Sequence, residues 1–563
     1  MAWRRQYFRM GHFRKKYRKN QETADEFLDR VSNGDPELRK VMEEQKFLYA
    51  GRTLSNRGID DLISSMMNCY SRGFIKDTTA DILQANTDIG LTFNSQGGQG
   101  ISLSKIRPID CGINHGSYAS DGIVPWMELY NRTTESVSQG GSRKGALIMT
   151  LDIWHKEADK FITIKSDPDK IQKANLSLEI DDKFMEIVRN DMKLRKRGIQ
   201  EDTVVHIKKN YEGNVIEYDV VPIKLYELMM QEAYDWGEPG CIFTDRFRNY
   251  NLMEYCADYQ IETCNPCGEQ PLPKHGACNL GSINLGAFVK NAFRPNAYID
   301  LEDLKHVVSI AVRALDLIID ENKDHHALPE QKEMSLKYRN IGLGVMGFWD
   351  MLCKLNLRYG SRASIEQADK LFNIIFRQAV YASSQLAKEK GAFPAYTPQV
   401  LKSRIIQKHF SQEELDSLEI SKYGLRNCSL LSIAPTGSIA NMLGVSGGIE
   451  PAFQLSYKRK TESLNNGETF YDVEVGVVNE YKEIMQTDTC PDFVTALNIP
   501  WRERVDMQAT IQEHIDTGIS STVNLPENIS LEEMKELYLY AWEKGVKGIT
   551  IFRNKCKRSG VLI

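Results

Sequence analysis

Asn265-Pro266-Cys267-Gly268-Glu269, followed closely by Ala277-Cys278-Asn279-Leu280-Gly281-Ser282-Ile283-Asn284-Leu285, is the stretch on which the reading of this chain turns. An amide, a thiol and a carboxylate stand at i, i+2 and i+4 and can line one side of an extended tip. Pro266 and Gly268 break any helix here, so the spacing predicts a loop. The three groups together suit one task, removal of a hydrogen atom from a sugar while a base handles an adjacent hydroxyl.

Other readings compete. Cys264 and Cys267 spell Cys-x-x-Cys, which fits a dithiol redox pair or half a zinc site. A structural zinc site needs a second Cys/His pair of similar spacing. The sequence has no other Cys-x-x-Cys, and the adjacent His325 and His326 are poor ligand spacing, so no metal site is expected. A buried, inert thiol is the general expectation for any single cysteine, but it leaves the polar company of Cys267 unexplained.

The chain has 563 residues, room for several average domains or one very large α/β domain. Hydrophobic content of 42%, charged content of 26% and a net charge of -5 describe a globular chain with no general pull toward nucleic acid or membrane. No long uncharged apolar run is present, so no membrane span is expected. Met1 to Asn20 is basic and aromatic and lacks the apolar stretch of a signal peptide; a flexible solvated tail is its simplest reading. Eleven cysteines without regular spacing suggest reduced thiols in a cytoplasm, that of a host cell if the chain is phage-encoded.

Residues 24–50 read as helical. From about residue 60, strand-length apolar segments alternate with longer helical patterns, the mark of βα units. Ala146 to Leu151, Asn427 to Ala434 and Gly548 to Phe552 read as strands. Leu301 to Asn322 reads as a helix with an apolar stripe of Val307, Val308, Ile310, Ala311, Leu315 and Ile318. Residues 363–390 and 530–545 read as helices too. Val204 to Val221 reads as a hairpin turning at Glu212-Gly213-Asn214. No repeat or low-complexity linker divides the chain, so one large barrel-like or doubly wound domain fits better than several beads.

A second polar cluster is Ala434-Pro435-Thr436-Gly437-Ser438-Ile439-Ala440-Asn441. Free N–H groups and two hydroxyls at a helix start would make a phosphate cradle, although such a motif is more often only an N-cap and turn. It is not a Walker A loop. Gly444 to Pro451 then implies close backbone approach nearby. Gly97-Gly98-Gln99-Gly100 reads as a turn. Gln139 to Gly145 reads equally as an exposed basic turn or a phosphate loop.

Taken together, Asn68-Cys69, Gly97 to Arg107, Ser138 to Leu151, Asn265 to Leu285, Pro435 to Pro451 and His514 to Arg553 resemble the catalytic subunit of a ribonucleotide reductase, in the family's order and over nearly the whole chain after residue 50. The resemblance implies an α/β fold, a ten-stranded α/β barrel with a central finger loop over residues 51–563, preceded by a basic tail and short helical segment at 1–50. It implies Cys267 as the thiyl radical that takes the ribose 3′ hydrogen, Glu269 as general base on the 3′ hydroxyl, and Asn265 as the group that orients the sugar hydroxyls. Cys69 and Cys278 would reduce the sugar from the opposite face and pair as a disulfide. Pro435, Thr436, Gly437, Ser438 and Ile439 would hold the substrate phosphates, with Thr53, Asn68 and Gly98 completing the pocket. Ser166 to Ala174 matches the loop that relays a deoxynucleotide effector.

The wording Gly548-Ile549-Thr550-Ile551-Phe552-Arg553 and Asn265 to Leu272 resembles the adenosylcobalamin-dependent branch. The branch that receives its radical from a small metal-containing subunit passes it through two adjacent tyrosines, where this chain has Thr550 and Ile551, with Phe552 next. That partner subunit is the second reading. Tyr538 and Tyr540 read as helical core or surface residues, and the end Ser559 to Ile563 lacks a glycyl-radical site. Only Cys556 lies near the end, which leaves three readings: thioredoxin or glutaredoxin reduces the active-site pair directly, a two-cysteine tail is lost, or another chain helps. No room precedes Thr53 for an ATP-binding cone, and a homodimer is expected. The rivals are a non-catalytic nucleotide-binding barrel, which needs no redox pair, and a thiol–disulfide oxidoreductase built on Cys264 and Cys267.

Overall fold

The computed structural model describes residues 17, 19 and 22–557, apart from 60–63, 114–117, 140–142, 212, 462–468 and 490. Most of the basic arm, part of the Gln139 to Gly145 turn, Glu212 in the hairpin turn and the end Ser559 to Ile563 lie outside the described residues.

Two short helices open the fold, α1 (Ala24–Ser32) and α2 (Pro36–Glu43). Residues 24–50 are therefore not one helix. Asn33 takes a left-handed conformation (φ 53°) at the end of α1, and Pro36 begins α2, the two positions at which such residues stop and start a helix. Phe47–Tyr49 then forms a short strand paired with Gly281 to Ile283.

The barrel comes next. Its first half is β1 (Cys69–Phe74), β2 (Gly98–Ser102), β3 (Leu147–Asp152), β4 (Ala174–Ile180) and β5 (Gly240–Phe243), all parallel neighbours in that order. Its second half is β6 (Ala277–Asn284), β7 (Ile341–Met346), the extended segment 430–433, the segment leading through Ile519 into β8 (Thr522–Leu525), and β9 (Gly548–Arg553). These also run parallel, through β6–β7, Leu343 to Leu431, Ile433 to Ile519 and β8–β9. The halves meet at two antiparallel seams, β1–β6 and β5–β9. Ten staves thus close into a ring, as the resemblance implies.

Segment 430–433 departs from the reading of Asn427 to Ala434 as a full strand. Its pairing is reduced to single bridges because the backbone N–H groups of Leu430 and Leu431 donate to the Asp516 carboxylate (2.8 and 2.7 Å). Gly97 to Gly100 is likewise not a turn but runs into β2.

Helices cover the barrel. The stripe expected on α3 (Leu301–Glu321) is buried as read, and each such aliphatic side chain contributes about 1.5–3 kcal/mol on burial. The helices Arg362–Lys390 and Leu531–Glu543 and the hairpin Val205–Tyr211 with Asn214–Val220 form where the sequence places them. Among the described residues no helix is long and apolar enough to cross a membrane.

Candidate active site

Between β5 and β6 the chain makes a narrow antiparallel hairpin, Ile261–Cys264 with Pro271–Pro273, in which Cys264 faces Pro271. This is the finger. Its tip is closed by hydrogen bonds within Asn265 to Gln270: Asn265 N–H to the Gln270 carbonyl (3.1 Å), Gly268 N–H to the Asn265 carbonyl (3.0 Å) and Gln270 N–H to Asn265 Oδ1 (2.9 Å). Gly268 sits at φ 80°, which a side chain would strain.

Staves from both halves surround the tip. A Cβ on Gly100 would stand 1.7 Å from the Cys264 carbonyl oxygen, and one on Gly98 3.0 Å from Pro266 Cγ. The glycines of β2 are there to let the finger pass. Asn175 of β4 donates to the Pro266 carbonyl (3.1 Å). From the second half, Gly518 N–H (2.8 Å) and Ser432 Oγ (3.2 Å) both donate to the Glu269 carbonyl.

The thiols converge here. Cys69 opens β1, Cys278 lies near the start of β6, and the two are directly opposed across the first seam. Opposed residues of an antiparallel pair stand about 4.5–5.5 Å apart at Cα, inside the window of about 4.4–6.8 Å that a disulfide needs. Both are reduced thiols in this structure. Asn265 Nδ2 donates to Cys69 Sγ (3.1 Å), tying the fingertip to the seam, and the Cys278 thiol donates to the Asn279 carbonyl (3.1 Å). Cys267, by contrast, is exposed at the tip, although protein encloses it from the sides.

The electrostatics are those of a desolvated pocket. Burial pushes the Cys69, Cys278 and Cys267 thiols up, and the nearby Glu269 carboxylate pushes each further. Such thiols stay protonated and suit hydrogen-atom and proton delivery rather than thiolate attack. Burial also raises Glu269 to about 7. Its Oε2 is buried with no hydrogen-bond partner among the described residues. A carboxyl poised near neutrality with a free lone pair is a suitable general base.

The expected phosphate loop begins beside the seam. Ala434 packs in one small cluster with Cys69 and Cys278. Pro435 is exposed, and Thr436 takes φ 53° and accepts the Gly448 N–H at Oγ1 (2.9 Å). Gly437 and Ser438 start the helix Gly437–Leu443, with open space around Gly437, while Ile439 is buried. Asn68 and Gly98 adjoin the site: Gly98 N–H donates to the Asn68 carbonyl (2.9 Å), and Asn68 Oδ1 is buried without a partner among the described residues. Thr53 is fully buried and its hydroxyl donates to the Met66 carbonyl (3.0 Å).

Cys264 lies in a separate apolar cluster with Ile148, Ile242 and Phe247, and is a free thiol. Among the described residues no group of three or more His, Cys, Asp or Glu could hold a metal. Sequence reading missed Ser432 and Gly518. Each meets Glu269 only through the fold, and neither has a local pattern that marks it.

A family profile described as "Ribonucleotide reductase, barrel domain" matches residues 66–552. The chain is 30% identical to the vitamin B12-dependent ribonucleoside-diphosphate reductase of Thermoplasma acidophilum, over 96% of this chain and 68% of that one. It is also 30% identical to the protein of the same name from Mycobacterium tuberculosis, over 93% and 72%. The fold matches a solved structure, the class Id ribonucleotide reductase alpha subunit of Actinobacillus ureae, with a TM-score of 0.74 at 20% identity, covering 97% of this chain and 96% of that one. With a barrel of two parallel halves, a finger between them and a family match over most of its length, the chain belongs to the ribonucleotide reductase barrel-domain family.

Proposed function

We propose that this chain reduces ribonucleoside diphosphates to 2′-deoxyribonucleoside diphosphates, with Cys267 as the hydrogen-abstracting thiyl and Cys69 and Cys278 as the reducing pair. The observation that carries this reading is the opposition of Cys69 and Cys278 across the first seam, with Asn265 of the fingertip hydrogen-bonded to Cys69.

The steps balance. The Cys267 thiyl takes the hydrogen atom from C3′ and becomes a thiol. Glu269 accepts the 3′-hydroxyl proton while Asn265 orients the hydroxyls. The 2′-oxygen leaves as water with one proton from the thiol pair; the pair's second hydrogen goes to C2′, the pair gives up two electrons in all as it closes to a disulfide, and Glu269 returns its proton to the 3′-oxygen. Cys267 then returns its hydrogen atom to C3′. Bound substrate and cofactor would cover the exposed Cys267 and keep the radical from solvent. Pro435 to Ile439 would hold the diphosphate, and Asn68, Gly98 and Thr53 would shape the pocket. Thr53 does so from behind, since its hydroxyl is committed to Met66.

The residues at the tip fit adenosylcobalamin: Cys267 is exposed, and nothing lies within 4 Å of the side-chain position on Gly268. Cys267 and the open side of Gly268 would adjoin the cofactor, which when bound would supply the oxidising equivalent needed to convert the Cys267 thiol to its thiyl. Thr550, Ile551 and Phe552 lie on β9, where no phenol is available for stepwise radical passage. Tyr538 is buried in a helix, and Tyr540 donates to Asp506 (2.7 Å).

The segment between the turn Ile164–Ser166 and β4 would relay a deoxynucleotide effector; residues 166–170 are exposed. Thioredoxin or glutaredoxin would reopen the disulfide, and the chain would act as a homodimer. A cytoplasmic setting would keep the cysteine pair open to re-reduction. Residues 51–563 would form the catalytic barrel and 1–50 the segment before it, of which Phe47–Tyr49 pairs with β6.

The test is turnover by the purified chain with dithiothreitol, with and without adenosylcobalamin. Activity is expected only with the cofactor and needs no second protein. Inactivity under both conditions, relieved by a metal-containing subunit, would overturn the cofactor assignment. Cys267→Ser is expected to abolish deoxynucleotide formation and leave nucleotide binding intact; surviving turnover would remove Cys267 from its role.

A further inference from the structure

Beneath the fingertip lies a buried charged pair that the reaction steps above do not use. Lys547 is 1% exposed and Asp516 fully buried. Four main-chain carbonyls surround the Lys547 ammonium: those of Tyr250 (2.6 Å), Ile515 (3.3 Å), Asp516 (3.0 Å) and Thr517. It reaches the carbonyl of Asp516, not the carboxylate. The Asp516 carboxylate instead accepts the backbone N–H groups of Leu430 and Leu431. Thr517 adds a hydroxyl and an N–H to the Leu431 carbonyl.

These contacts bind two segments together, 430–432 and 515–518, and anchor both to Tyr250, which follows the first half-barrel. Those same segments carry the two donors to the Glu269 carbonyl, Ser432 Oγ and Gly518 N–H. A Cβ on Gly518 would stand 3.0 Å from that oxygen, so the approach is close. Burying two charges costs several kcal/mol each unless hydrogen bonds and mutual attraction offset it. An apolar pair would fill the same space without that cost, so stability alone does not account for the arrangement.

We infer that Asp516 and Lys547 are positioning residues for the proposed base, which fix the backbone of Glu269 by holding Ser432 and Gly518 in place against its carbonyl. The inference rests on the reading of Glu269 as the base. It adds two residues far from the finger in sequence, neither of which touches the sugar.

A double-mutant cycle tests it, on full-length protein. Asp516→Asn and Ser432→Ala are each expected to lower kcat roughly ten- to a hundredfold with little change in KM, the penalty for a slightly misplaced reacting group. Because both act through one carbonyl, the double variant is expected to be no slower than the worse single variant. Effects that multiply would mean that Asp516 serves the fold at large and would overturn the inference.

A second readout needs no turnover. Cys267 is open to reagent at the tip, and its crowded surroundings first and the Glu269 carboxylate second oppose its ionisation, so the pH profile of its alkylation by iodoacetamide responds to where the carboxyl stands. Asp516→Asn with Lys547→Met removes both buried charges together and keeps the segment neutral, which guards against misfolding from a single unpaired charge. That variant is expected to shift the profile, and an unchanged profile in folded protein would sink the inference. Wild-type protein that never turns over would refute the proposed function and still leave the alkylation result decisive for the clamp.

Discussion

Glu269 is the residue whose environment says most about chemistry. Burial holds its carboxyl near 7, so the folded protein keeps a proton that an unfolded chain releases in the ordinary carboxylate range. The stability linked to this proton is present at low pH and lost as pH rises through about 7. Two outcomes follow for Glu269→Gln. Thermal unfolding at alkaline pH should show a more stable protein, by up to about 2–3 kcal/mol, with no gain under acid conditions. Deoxynucleotide formation should fall by several orders of magnitude. In the wild type, kcat should climb as pH rises through about 7, when the proposed base becomes free to accept a proton. Local sequence revealed the residue types of this site, Asn265, Cys267, Glu269 and Cys278, because they stand within one short stretch. It gave no hint of Ser432 or Gly518, whose hydrogen bonds to Glu269 depend on second-half staves arriving from far along the chain.

At the scale of elements, the finger governs the design of β2. Glycine at 98 and 100 looks like turn chemistry in a linear reading, since a run of glycines usually is. In the barrel these residues face a hairpin that runs almost against the strand, and the missing side chains make room for it. Gly100→Ala places a methyl group 1.7 Å from the Cys264 carbonyl oxygen. It should cost about 3 kcal/mol or more in urea unfolding, beyond ordinary overpacking, and reduce turnover at least a hundredfold if the tip shifts by about 1 Å. Helices were the most legible elements, because a long apolar stripe such as that of α3 has one reading. Segment 430–433 was the least legible: its apolar residues promise a strand, but Asp516 takes the backbone donors that would have built one. The break between α1 and α2 was visible in Asn33 and Pro36, yet the apolar spacing across residues 24–50 outweighed it.

For the whole molecule, one buried arginine helps to fasten α1 and the strand Phe47–Tyr49 to the helical cover of the barrel. Arg57 is 1% exposed; it donates to Glu321 of α3 through Nε (2.8 Å) and Nη2 (2.7 Å), to the Val31 carbonyl (2.7 Å) and to the Tyr49 hydroxyl (2.9 Å). It therefore joins α1, the strand Phe47–Tyr49 and α3. Arg57→Ala leaves these acceptors without their shared donor. It should destabilise the protein by about 3 kcal/mol, with limited proteolysis opening first within residues 22–56. The barrel itself was foreseen from family likeness rather than from periodicity, since alternating strands and helices fit a doubly wound sheet equally well. What distinguishes the two is the pair of antiparallel seams, and no local pattern encodes those. The first seam carries a mechanical implication. Cys69 and Cys278 belong to different halves, so the bond they would form after each product is a stitch between two five-stave shells. Catalysis would then alternate a laced barrel with an unlaced one, and a reductant would be reading the molecule's stiffness as well as its oxidation state.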